Sequence, residues 1–188
     1  MADKYVDIDT LKYMLYDVHK LEDLLSRERF VDHDKESLDM FLESTKDFAD
    51  RELFPFIKEM DEKPAYHKDG KVYVHSQVET MMKKGGELGF ISASFDYDIG
   101  GMQIPLMAHT AATYILDAAN NHLPGYAGLT QGAAELIIHF ASKELVDTYV
   151  PDMLSGNWGG TMCLTEPQAG SSLSCLLYTS DAADDSDC

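Results

Sequence analysis

An all-α fold is predicted, on three observations. Apolar residues recur at three- and four-residue spacing through most of the first 157 positions. The breaks between these runs are Pro, Gly and Asp clusters typical of helix ends and turns. A strand-like pattern appears only once, at residues 158–165. The expected organisation is a helical extension at 1–32, a helical-bundle domain at 33–157, the first strand of a β-domain within 158–174, and a tail at 175–188.

Residues 10–25 place Leu11, Met14, Leu15, Val18, Leu21, Leu24 and Leu25 on one face, an amphipathic segment expected to dock on the chain's own domain, the alternative being a partner-binding helix. Either Asp32 or Asp34 can cap the next helix, whose apolar face holds Leu38, Phe41, Leu42, Thr45, Phe48 and Ala49. Pro55 is expected to end or kink it near Leu53, because the residue before a proline leaves the helical region. Residues 61–69 read as a polar loop. A helix over 77–88 is expected to break at Gly85 and Gly86.

After the turn-rich DYDIGGMQIP, Pro105 opens a helix running to about Ala119, apolar nearly all round and so expected to be central and buried. HLPGYAGLTQG reads as a connection to a helix at 133–140. Ser142 then caps a helix at 143–154 with Leu145, Val146, Tyr149 and Val150 facing inward. In TMCLT the helical period is lost, and its apolar and β-branched content predicts a strand ending at Glu166-Pro167.

The chain has 33 acidic against 15 basic residues, a formal charge of −18. The tail contributes Asp181, Asp184, Asp185 and Asp187 and no cation; without it the charge is −14. Nucleic-acid binding is excluded on this count, since phosphate contacts need clustered Lys and Arg. Outside the tail the one cysteine is Cys163, so a reducing, cytoplasmic setting is expected. No secretory signal or membrane span is legible. The seven histidines form no H-x-x-x-H or H-E-x-x-H pair, so no metal site is expected, and neither a G-x-S-x-G elbow nor a Walker loop is present. The tail string CLLYTSDAAD resembles one translated reading frame of a transposase library adapter. Residues 175–188 are therefore expected to be non-native and residues 1–174 an N-terminal fragment, the alternative being an acidic disordered tail.

The candidate chemistry lies at Met162 to Ser171, MCLTEPQAGS, where a strand pattern runs into small residues and hydroxyls. Small side chains allow a heteroaromatic or anionic ligand to approach the backbone and the hydroxyls of Thr165, Ser171 and Ser172. An ordinary strand-to-loop turn would have the same composition.

MCLTEPQAGS resembles the flavin-contacting signature of acyl-CoA dehydrogenases, (Y/M)-C-(V/L)-T-E-P-x-A-G-S. GELGFISASFDYDIGGMQIP, LTQGAAELIIHFAS and YVPDMLSGNWGGTMCLTEP are similar, in order and spacing, to the N-terminal helical domain of that family. The extension resembles that of the subgroup of longer polypeptides that includes the 3-methylmercaptopropionyl-CoA dehydrogenases. The resemblance implies FAD as cofactor, an acyl-CoA substrate, an electron-transfer flavoprotein as electron acceptor, and a homo-oligomer at full length. It implies cofactor contacts by backbone groups of Met162 and Leu164, by the Thr165 hydroxyl, and by Gly170 and Ser171 at the pyrophosphate. Ser171 would also lie near the CoA, and Leu129 and Thr130 would help wall the acyl pocket. In the family, a carboxylate removes the α-proton while hydride leaves the β-carbon for the flavin, giving a 2-enoyl-CoA.

Two departures matter. Ser172 stands where the family usually has Asp, and no residue is assigned as the catalytic base, because Glu166 belongs to the turn and the family's base lies in a later helical domain. The fragment is therefore expected to be inactive. Alternatives are an acyl-CoA oxidase or monooxygenase of the same fold, or a non-catalytic helical interaction module.

Overall fold

The computed structural model describes residues 5–167 and 169–172, which form the expected all-α fold with one small hairpin. The tail at 175–188 lies outside the described residues. Buried side chains from Val6 to Leu154 make one continuous core.

The extension docks on the domain, as its apolar face requires, but it is not one helix. Helix α1 (Ile8–Tyr13) starts at Asp7, whose carboxylate accepts from the Asp9 and Thr10 amides at 3.0 and 3.1 Å. A π-helical turn over Met14–Val18 follows, and Lys20 at φ +53° then separates it from α2 (Glu22–Leu25). This left-handed residue redirects the chain so that Leu15, Tyr16 and Leu21 all reach the core. Tyr16 donates its phenol to Asp39 at 2.8 Å, and Lys12 pairs with Glu43 at 2.7 Å, tying the extension to the next helix.

Of the two candidate caps for α3 (Lys35–Phe48), Asp34 is the one used. It accepts from the Ser37 amide at 2.8 Å while the Ser37 hydroxyl accepts from the Asp34 amide at 3.0 Å. The helix buries Leu38, Phe41, Leu42, Thr45 and Phe48. The break expected near Leu53 ahead of Pro55 is present, and short helical segments follow it. A π-helical turn (Ala49–Leu53), a 3-10 turn (Phe54–Phe56) and α4 (Ile57–Glu62) succeed one another, with the proline in the first turn of the new segment, where a missing N–H costs little. The carbonyls just ahead of it accept from side chains elsewhere: Glu52 from Gln77 at 2.9 Å and Leu53 from Asn120 at 3.0 Å.

The expected polar loop holds the end of α4 and the first strand of a hairpin, β1 (Tyr66–Lys68) paired antiparallel with β2 (Lys71–Tyr73). Asp69 and Gly70 turn at φ +52° and +74°, the geometry a two-residue hairpin demands, and Tyr66 stacks on Tyr73 at 5.1 Å. An Asp-Gly pair between YHK and KVY was the signal for it.

Helix α5 (Gln77–Glu87) runs through Gly85 and Gly86 instead of breaking there. A Cβ on Gly86 would lie 2.1 Å from the Ser155 carbonyl oxygen, so this glycine serves close packing rather than a break. Helix α6 (Leu106–Asn120) buries Ala108, Ala111, Ala112, Ile115, Leu116 and Ala119 and is central as expected, with Pro105 just ahead of it and Leu106 and Tyr114 exposed. It packs on α3, on the π-helical turn before Phe54, and on α7.

Helix α7 spans Pro124–Phe140, so the expected connection is helical from its proline onward. Three glycines argued for a loop, but burial of Ala127, Thr130 and Ala134 overrides that local preference. It packs between α5 and α8 (Lys143–Leu154). Val150 of α8 is inward and Val146 packs on the core, whereas Leu145 and Tyr149 are exposed. Ser142 has the extended backbone of a cap, but its hydroxyl makes no capping bond.

The strand expected at 158–165 is not formed: no regular secondary structure is assigned there, and the two strands among the described residues pair only with each other. A strand needs a ladder partner, and this segment has none among them.

Candidate functional site

The segment holding MCLTEPQAGS is launched from the end of α8. Gly156, at φ +78°, turns the chain with its Cα so close to α5 that a Cβ would lie 1.9 Å from the Met82 carbonyl oxygen. The Asp152 carbonyl then accepts from the Asn157 and Trp158 amides at 2.9 and 3.0 Å, and Trp158 packs on Tyr149 with ring centroids 5.8 Å apart. Two residues later the Gly160 amide donates to the Thr130 hydroxyl at 2.9 Å, joining this segment to α7.

Beyond Gly160 the chain has no regular secondary structure and is largely open to solvent. Met162 is 66% exposed, Thr165 and Ser171 are exposed, and Leu164 and Gly170 are half-buried. The Glu166 amide donates to the Ala169 carbonyl at 2.8 Å, closing a turn that returns Gly170 to Thr165. A Cβ on Gly170 would stand 3.0 Å from the Thr165 hydroxyl oxygen and 3.1 Å from its methyl carbon. The turn thus brings together Thr165 and Gly170, with Ser171 following. Glu166 sits in the turn as expected.

Leu129 and Thr130, neighbours on α7, face different ways. Leu129 is exposed, while Thr130 is fully buried, its hydroxyl donating to the Tyr126 carbonyl at 2.7 Å and accepting from Gly160. Leu129 belongs to an open face with Gly125, Gly128, Gly132, Leu136 and Phe140, spaced at about one helical turn. Nothing lies within 4 Å of where a Cβ would stand on any of these three glycines, and Leu136 and Phe140 are 62% and 83% exposed. This bare face is what sequence reasoning missed; its signal was G-x-x-G-x-x-x-G following Pro124.

No group of three or more His, Cys, Asp or Glu able to hold a metal ion occurs among the described residues, and none of their helices is long and apolar enough to cross a membrane. Burial lowers the proton affinity of His109 on α6, partly opposed by its bond to the Phe90 backbone, so the ring favours its neutral form.

Comparison with known proteins places this arrangement. Residues 35–157 match the acyl-CoA dehydrogenase N-terminal domain. Over 144 residues the chain is 31% identical to 3-methylmercaptopropionyl-CoA dehydrogenase of Ruegeria pomeroyi, covering 77% of this chain and 24% of that protein. It is 28% identical over 161 residues to the human mitochondrial short-chain specific acyl-CoA dehydrogenase, covering 80% and 34%. The fold is similar to that of glutaryl-CoA dehydrogenase from Mycobacterium smegmatis, with a TM-score of 0.64 at 22% identity over 86% of this chain and 37% of that one. The chain therefore spans about a quarter to a third of the length of these relatives. With most of the helical domain matched and the signature segment following directly from it, the chain belongs to the acyl-CoA dehydrogenase family.

Proposed function

We propose that this chain is the N-terminal part of an FAD-dependent acyl-CoA dehydrogenase that acts in the cytoplasm as a homo-oligomer and passes electrons to an electron-transfer flavoprotein. The observation that carries the reading is the turn that sets Gly170 against the Thr165 hydroxyl, at the end of an irregular segment with no strand pairing among the described residues. This donor set fits a flavin. Main-chain groups of Met162 and Leu164 offer edge contacts, the Thr165 hydroxyl offers one hydrogen bond, and Gly170 and Ser171 allow close approach of a pyrophosphate.

When bound, FAD supplies the acceptor for the hydride leaving the acyl β-carbon. The chain's own contribution is positioning and exclusion of water. The Leu129 face of α7 walls the acyl chain with apolar surface, and Thr130 supports that wall from behind. Ser171 lies where the CoA portion passes. No residue of this chain is assigned as the carboxylate that removes the α-proton; the backbone of Glu166 is part of the turn, its amide donating to Ala169.

Two measurements test the reading. The full-length parent should retain FAD on purification, and its visible flavin absorbance should bleach when a saturated acyl-CoA is added without oxygen; absence of flavin or of bleaching would refute it. The 188-residue chain alone should reduce no acceptor dye with the same substrate, and dye reduction would overturn its assignment as an inactive part.

A further inference from the structure

We infer that Thr130 is a positioning residue that holds the flavin-contacting segment in place, rather than a lining residue of the acyl pocket. This rests on the flavin reading given above and refines the role of one residue within it.

The observations converge on one hydroxyl. Thr130 is buried to 0% exposure in the middle of α7, so its side chain offers no surface to a ligand. Its Oγ1 donates to the Tyr126 carbonyl at 2.7 Å and so has its lone pairs left for another partner. That partner is the Gly160 amide, at 2.9 Å and thirty residues away in sequence. This hydrogen bond fastens the chain just ahead of MCLTEPQAGS to α7.

Sterics enforce the same contact. A Cβ on Gly160 would stand 2.6 Å from the Ala133 Cβ, 3.1 Å from the Thr130 Cα and 3.1 Å from the Met153 terminal methyl. The main chain at Gly160 therefore lies directly on α7, in a space with no room for a side chain. Met162, the first signature residue, is only two residues onward, so a displacement at Gly160 carries into the segment that meets the flavin. Gly156, pinned on Met82 of α5, and Gly160, pinned on α7, bracket Trp158 between two fixed points.

The chemistry of the clamp makes it separable from packing. One hydroxyl must donate and accept at once, which Ser can do and Val, though of similar shape to Thr, cannot. Thr130→Val leaves the Gly160 amide without its acceptor, while Thr130→Ser loses only a methyl group.

Trp158 is the sole tryptophan of the chain and a built-in reporter. In the 188-residue chain, amide exchange at Gly160 should quicken by about tenfold or more in Thr130→Val, with a shift in Trp158 emission, and stay within about twofold of wild type in Thr130→Ser. Gly160→Ala, which strikes the contact from the other side with Thr130 intact, should shift Trp158 emission in the same sense. In the full-length parent, Thr130→Val should weaken FAD binding by about fivefold to tenfold, and Thr130→Ser should restore it. Unchanged Gly160 exchange in Thr130→Val, or equal losses of FAD affinity in the Val and Ser variants, would overturn the clamp. A wild-type parent that takes up no FAD would instead sink the flavin reading, and the exchange result would still decide whether the clamp exists.

Discussion

The Asn120 amide nitrogen, at the end of α6, donates at 3.0 Å to the carbonyl of Leu53, two residues ahead of Pro55. Asn120 is fully buried, and its oxygen accepts from the His122 amide at 3.2 Å, so one side chain both closes α6 and serves the proline junction. Asn120→Asp keeps the volume but removes the donor, leaving a buried carbonyl unmet. It should cost about 1–3 kcal/mol in urea unfolding at neutral pH. The loss should shrink as pH falls, because a protonated carboxyl regains a donor; a loss independent of pH would contradict this account.

Glycines in helices should divide by their surroundings. Gly86→Ala has the better helix propensity by about 1 kcal/mol, yet it should destabilise, because its Cβ would meet the Ser155 carbonyl oxygen at 2.1 Å. Gly128→Ala on α7 meets nothing within 4 Å and should stabilise by about 0.5–1 kcal/mol. Thermal unfolding of the two variants should therefore move Tm in opposite directions.

His109 makes the fold sensitive to acid. Burial holds its folded value below the usual 6.5, so the unfolded chain binds this proton more readily. Its contribution is present above about pH 6.5 and is lost as pH falls toward and through the lowered folded value. Urea midpoints recorded from pH 7.5 to 5 should decline, and His109→Gln should flatten the decline in that window. An unchanged slope would show that other groups set it.

If α7 walls the acyl chain, its bare glycines set the room available. Gly132→Leu in the full-length parent should lower kcat/KM for long acyl-CoA substrates by about tenfold or more, with little effect on short ones. An equal loss at every chain length would place this face elsewhere in the enzyme.

The fold class was legible because helices announce themselves through periodic apolar spacing, as in Leu38, Phe41, Leu42, Thr45 and Phe48, all buried. The grouping of Thr165 with Gly170 was legible for a different reason. The residues of MCLTEPQAGS are contiguous, so the motif alone names Thr165, Gly170 and Ser171 together.

What only the tertiary structure decided are the outcomes that local signals mispriced. The break at Pro55 could be read locally, but not that Gln77 and Asn120 would serve the carbonyls before it. Helix α7 forms across three glycines because burying Ala127, Thr130 and Ala134 outweighs their propensity cost. Thr130 accepts from the Gly160 amide, a pairing thirty residues apart that no local pattern records. Apolar periodicity and contiguous motifs are properties of neighbouring residues and can be read along the chain. Hydrogen-bond partners and the room around a glycine depend on which distant residues meet, and only folding brings those together.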